Sequence, residues 1–245
     1  MRVVSLVPSI TETLLAWGIT PLACTRFCEQ PAIPHVGGTK DPDVERIVAL
    51  RPDLVLLNDD ENRREDHDAL LAAGVGVHVV RVNALEDVAP ALHDLAVVLE
   101  VDPPAIELPP PHPPIRRVFV PIWKRPWMTI GTETYGSSVL AHLGLVNIFA
   151  GDERYPEVTL HAAAARRPDL VVAPSEPYPF RERHRSQLAS VAPVLFVDGQ
   201  DLFWWGARTP HAVRRLEALV ADVGLGVGSA GGERGEAGPE QERQQ

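Results

Sequence analysis

Three short segments carry most of the side chains that could meet a ligand. Trp123 and Trp127 flank Lys124-Arg125-Pro126. Tyr178 and Phe180 sit within Glu176-Pro177-Tyr178-Pro179-Phe180, and Phe203, Trp204 and Trp205 run together. Flat aromatic faces on loops suit a large, flat, partly apolar ligand, each stacked pair adding about 0.5–1.5 kcal/mol. The alternative for any one ring is that it plugs a lobe end or a seam, because large aromatics are mostly buried. Four of the five tryptophans fall in two tight pairs, so the set reads as one wall of a cleft.

Other reactive side chains are scattered. Cys24 and Cys28, with His35 downstream, form an incomplete soft site, since zinc needs four convergent ligands and no second pair exists. Asp59-Asp60-Glu61 lacks the spacing of a calcium loop and reads as a solvated acidic turn. Gly37-Gly38-Thr39-Lys40 holds P-loop letters in the wrong arrangement. No nucleophile elbow, zinc-protease helix or dinucleotide fingerprint occurs, and the nine histidines are dispersed. No catalytic and no metal-ligating residues are therefore assigned.

The elements that must position these loops alternate. Strands are predicted at Val3–Val7, Leu22–Thr25, Leu54–Leu57 and Val77–Val82. Helices are predicted at Ser9–Trp17, Asp43–Leu50, Arg63–Ala73 and Leu85–Leu99. Ser9 with Glu12 has the capping-box spacing, and Pro90 should kink the last helix or mark a late first turn. Residues 103–114 then hold seven prolines, which excludes helix and favours a stiff polyproline spacer. Beyond it the pattern repeats. Arg117-Val118-Phe119-Val120-Pro121 echoes the opening strand, and Val139 to Gly144 echoes Leu14 to Gly18. Arg167-Pro168-Asp169-Leu170-Val171 matches Arg51-Pro52-Asp53-Leu54-Val55 letter for letter. Three landmarks in the same order indicate a duplicated unit.

The expected fold class is α/β, with two Rossmann-like lobes whose parallel sheets face a cleft. The expected division is an N-terminal β/α lobe (1–84), an interlobe helix and Pro-rich linker (85–115), a C-terminal β/α lobe (116–225) and a disordered tail (226–245). Ligands in such folds bind beyond the carboxyl ends of strands. The loops that matter are then Pro8-Ser9, Asn58 to Asn62, Asn83, Ile122 to Met128, Pro174 to Phe180 and Gly199 to Trp205.

Composition sets outer limits. A net charge of -10 repels phosphate backbones, so no nucleic-acid partner is expected. No apolar run is long enough for membrane insertion, and two cysteines make no disulfide framework. The strand-like opening from Arg2 leaves no room for a secretory signal, so the chain as written is expected to be cytoplasmic. A monomer is expected.

Several of these segments carry a resemblance. Val4-Ser5-Leu6-Val7-Pro8-Ser9-Ile10-Thr11-Glu12, Gly37 to Pro42, Ile47 to Val55 and Asn147-Ile148-Phe149-Ala150 resemble the cobalamin and iron-siderophore class of periplasmic binding proteins. The match spans residues 2 to about 222 and looks closest to the cobalamin-binding branch and to solitary helical backbone metal receptors. It implies two lobes, a rigid interlobe helix and one ligand held without chemistry. That ligand would be cobalamin or another metal chelate, with no covalent cofactor. Trp204, shortly before Arg208-Thr209-Pro210, matches a Trp that stacks on the corrin. Asn58 stands where the receptor has its other Trp. Pro8 and Ser9 match a cleft-lining loop. Trp123, Trp127, Glu176, Tyr178 and Trp205 are placed at the cleft by position. Two departures accompany the match. The proline tract replaces some or all of the long backbone helix. Arg64 stands where transporter-feeding receptors present a Glu, which argues against delivery to an ABC permease. The family is usually periplasmic or extracellular.

Two other functions remain open on the sequence. A cytoplasmic enzyme reusing the cleft would need Ser9, Glu61, Glu176 and Arg208 to converge. A protein-interaction module would use the proline tract to dock an aromatic groove.

Overall fold

The computed structural model describes residues 1–102 and 104–226. The first half runs β1 (Val3–Ser5), α1 (Pro8–Ala16), β2 (Ala23–Cys24), α2 (Val44–Ala49), β3 (Leu54–Asn58), α3 (Arg64–Ala72), β4 (Gly76–Val80) and α4 (Val88–Leu99). The second half runs β5 (Arg116–Phe119), β6 (Pro121–Lys124), β7 (Trp127–Thr129), α5 (Tyr135–His142), β8 (Leu145–Asn147), β9 (Glu157–Val158), α6 (Leu160–Ala165), β10 (Leu170–Pro174), α7 (Arg185–Leu188), β11 (Val194–Val197), α8 (Gly199–Phe203) and α9 (Thr209–Gly226). The expected disordered tail lies outside the described residues except for Gly226, which ends α9.

Two four-stranded parallel sheets result, ordered β2-β1-β3-β4 and β11-β10-β5-β8. Read from its own first strand, each has the order second-first-third-fourth, so the repeated letters fold into the same topology twice. The repeat extends to single bonds. Arg2 N donates to Asp53 Oδ2 at 2.6 Å, and its guanidinium donates to the carbonyls of Arg51 and Leu50. Arg117 N donates to Asp169 Oδ2 at 2.8 Å, and its guanidinium donates to the carbonyls of Arg167 and Arg166. Arg51 and Arg167 both take left-handed backbone, φ 49° and 50°. Such a conformation is unfavourable for a side-chain-bearing residue, and in each lobe its carbonyl is held by an arginine from the neighbouring strand.

The strands alternate as a two-residue period requires. Val4, Leu6, Val55 and Leu57 pack into one cluster on the outer face of the first sheet. Phe119, Val171 and Ala173 do so on the second. The inner faces share one continuous core. Val3, Leu54 and Leu56 meet Val118, Leu170 and Val172 there through the side chains of α4. That helix buries Val88, Ala91, Leu92, Leu95, Ala96 and Leu99, a helical-period stripe. Pro90 is its third residue, where no helical partner is lost. From Pro104 to Ile115 the chain has neither helix nor strand. It is pinned to the second sheet's side by His112 N donating to His142 O and Ile115 N to Gly144 O, both at 2.8 Å.

Three local expectations are corrected. α1 starts at Pro8 with Val7 in the cap position and no side-chain cap, so Ser9 is inside the first turn and forms no capping box. Proline suits that first position because its missing N–H has no helical partner. The segment Ile122 to Met128 is not a loop. It is an antiparallel hairpin, β6 on β7, extended by β9. Gly199 to Phe203 is the short helix α8, capped by the Asp198 carboxylate accepting from Gln200 N at 2.9 Å.

Candidate functional site

The carboxyl ends of both sheets open onto one cavity of about 650 Å³. From the first lobe it takes Pro8 at the start of α1, Phe27 after β2, Asn58 at the end of β3 and Glu61 after it. From the second it takes Glu176 and Pro177 after β10, then Phe203, Trp204 and Trp205 at the end of α8. Tyr155, between β8 and β9, completes the wall.

Each lining group is held from behind. The Asn58 side chain is buried and organises the acidic turn. Its Oδ1 accepts from Asp60 N and Glu61 N at 2.9 and 3.1 Å, and its Nδ2 donates to Val80 O. Asn62 anchors the turn, accepting from Asn58 N and donating to Leu6 O and Thr39 O. Trp204 Nε1 donates to Glu176 Oε2 at 3.1 Å. Arg208 lies over the Trp204 ring, 5.3 Å from its centroid, and pairs with Glu12 at 2.9 Å. The indole is therefore gripped at its N–H and on a face. Trp205 is 4% exposed and belongs to the shared core.

The cavity is acidic. Glu29, Asp60, Glu61 and Glu176 line it, and Arg26 is the one cationic side chain among the described lining residues. Arg26 is itself paired with Asp41 at 3.0 Å, and Asp60 is spent on Arg154. Glu61 is half-buried at the cavity wall, and desolvation pushes its carboxyl up to about 7. The Cys28 thiol and the Asp60 and Glu176 carboxylates push the same way, and Lys40 opposes them. Glu176 is also raised, first by desolvation, against the hydrogen bonds from Gln200 and Trp204.

The predicted residues divide cleanly. Pro8, Asn58, Glu176, Trp204 and Trp205 line the cavity; Ser9, Trp123, Trp127 and Tyr178 do not. Ser9 Oγ is buried without a partner. Trp123 points off the hairpin's other face, because strand side chains alternate and Ile122 takes the cavity side. Trp127, paired with Lys124, is instead packed into the outer cluster of the second lobe. Trp123 meets Tyr178 edge-on at 5.7 Å, and Trp127 stacks on Phe180 at 5.9 Å. Ser9, Glu61, Glu176 and Arg208 do not converge as an enzyme would need: Arg208 is turned to Glu12, and neither it nor Ser9 reaches the cavity. Cys24 and Cys28 are free and buried. Hydrogen bonding from Cys24, with Thr11 and Thr25, holds the Cys28 thiol down to about 6. Among the described residues no three His, Cys, Asp or Glu side chains form a metal site. Phe27 and Tyr155 escaped the sequence reading. Their only signal was an isolated aromatic on a connecting segment.

Comparison with known proteins follows this geometry. The family described as Periplasmic binding protein matches residues 3–99. A vitamin B12-binding protein of Salmonella paratyphi A is 30% identical over 190 residues, covering 70% of this chain and 71% of the relative. The chain belongs to the periplasmic binding protein family. Members of that family hold solutes and catalyse no reaction. The fold agrees with the periplasmic vitamin B12 binding protein BtuF of Vibrio cholerae, with TM-score 0.72, 19% identity, and 91% and 97% of the two chains covered. It also agrees with a periplasmic heme binding protein from Pseudomonas aeruginosa, with TM-score 0.71, 21% identity, and 89% and 91% covered. The expectation of a cytoplasmic chain finds no support in this family, whose members are periplasmic.

Proposed function

We propose that this periplasmic binding protein holds a corrinoid, the cobalamin class of metal chelate, across its interlobe cavity. The observation that carries the reading is an aromatic wall combined with uncompensated carboxylates. Phe27, Tyr155, Phe203 and Trp204 offer flat or edge surface to a macrocycle, while Glu29, Glu61 and Glu176 offer hydrogen-bond acceptors. A corrinoid periphery is rich in amide N–H donors and carries no carboxylates. Haem carries two propionates, and these carboxylates would repel it. A cavity of about 650 Å³ is within the usual range for drug-sized ligands, so a corrinoid would lie across it with part of its periphery in solvent. Pro8, Asn58, Trp205 and the residues just named are the proposed contacts. Family membership supports work outside the cytoplasm and delivery of the load to an ABC permease, despite Arg64.

The test is a tryptophan-fluorescence titration with cyanocobalamin, haem and a ferric siderophore, corrected for ligand absorbance. Saturable one-to-one quenching by cyanocobalamin, and much weaker binding of haem and of an anionic tris-catecholate ferric siderophore, is expected. Tight haem binding with no response to cobalamin would overturn the ligand assignment. Flat titrations for all three would remove the chelate reading altogether.

A further inference from the structure

The rings that miss the cavity build a second surface. Trp123, Tyr178, Phe180 and Trp127 form a ladder across the β6–β7 hairpin and the segment after β10, closed by His184 against Tyr178 and Phe180. Phe180 and His184 are buried, but Trp123 is 43% exposed at the outer end. Lys124 ends β6 and Arg125 begins the hairpin turn, and Arg181 and Arg183 precede His184. Lys124 lies 5.9 Å from the Trp127 ring centroid. Arg183 Nε lies 3.4 Å from His184 Nε2, and burial first, then the charges of Lys124 and Arg183, holds the His184 pKa below its usual value. Among the described residues none of these four cations has a carboxylate within ion-pair distance; Glu182 is taken by Arg185 at 2.6 Å, and Glu157 on β9 lies opposite Met128 without reaching them.

We infer that the Trp123 hairpin and the Arg181–Arg183 turn form a docking surface for an anionic lipid bilayer. Four unpaired cations gather on a chain of net charge -10, beside an indole open to solvent. A Trp ring with Lys and Arg around it matches the headgroup layer, where amphipathic rings and basic side chains both reside. The acidic remainder does not prevent the encounter, because salt screens charges beyond about 8 Å at physiological ionic strength. Binding is peripheral: no described helix is long and apolar enough to cross a membrane. This inference does not depend on which ligand fills the cavity.

The experiment is flotation of the full chain with vesicles of phosphatidylcholine containing one-third phosphatidylglycerol, and with phosphatidylcholine alone. Partition onto the anionic vesicles only, abolished by high salt, is expected. Each cation removed should weaken it about fivefold, so K124E/R125E should abolish flotation while R46E, an exposed change on the first lobe, should leave it intact. Trp123→Ala should weaken partition and remove a blue-shifted emission component seen with vesicles. Circular dichroism checks that each variant folds. No partition of the wild type, or equal partition of K124E/R125E, would overturn the proposal. So would binding to poly-L-glutamate without binding to vesicles, which would assign the patch to an acidic protein.

Discussion

Trp204 and Glu61 are the two side chains whose surroundings lead to the clearest tests. Trp204 is fixed by Glu176 at its N–H and by Arg208 on its ring, so its exposed face is presented without rotamer freedom. Trp204→Ala should weaken cobalamin binding by about 10- to 30-fold, the scale of an aromatic anchor, read by calorimetry. Glu176→Ala should cost about 1 kcal/mol, since it frees the indole but leaves the ring. Glu61 bears on stability instead. In the folded chain its carboxyl titrates near 7, against an ordinary value of 4.5. Between those values the folded chain keeps a proton that the unfolded chain has released. Stability therefore falls as pH rises from about 4.5 to 7 and stays lower above it. Glu61→Gln should raise the melting temperature at pH 8, change it little at pH 4.5, and flatten the slope between.

At the scale of elements, α4 and the repeated corners do most to fix the frame. Leu95 is fully buried in the core shared by both sheets, so Leu95→Ala should destabilise by about 2–5 kcal/mol in chemical denaturation. The corners formed by Arg-Pro-Asp-Leu-Val are legible because the letters recur, and the structure explains the recurrence: each Asp accepts from the backbone N–H of an arginine entering the first strand. Asp169→Ala should cost about 1 kcal/mol. The helical stripe of α4 was legible from its apolar period, and its late start from Pro90. The β6–β7 hairpin was not legible, because Lys124-Arg125-Pro126 has the composition of a loop and its two strands are only three or four residues long.

Across the whole molecule, the two lobes are joined over the cavity as well as through α4. Arg154 of the second lobe makes a bidentate pair with Asp60 of the first at 2.8 and 2.7 Å, and also donates to Asn83 Oδ1 at 2.9 Å. Ala207 N donates to Thr13 Oγ1 at 3.1 Å, and Leu85 N to Ser138 Oγ at 2.7 Å. Arg154→Ala should speed amide exchange in residues 58–62 and raise the ligand dissociation rate, because the Arg154 tie joins the lobes beside Tyr155 at the cavity. The sequence by itself determined the alternation of strands and helices, the duplication and the apolar stripe of α4. Those features follow from local period, propensity and repeated letters, which neighbouring residues carry. Only the tertiary structure decided which aromatics face the cavity. Trp123 and Trp204 are both loop-like tryptophans in the sequence, yet a register shift between Pro121 and Trp123 and the strand's two-residue alternation turn one outward. The other is turned inward by Glu176 and Arg208, whose positions depend on contacts between segments far apart in the chain.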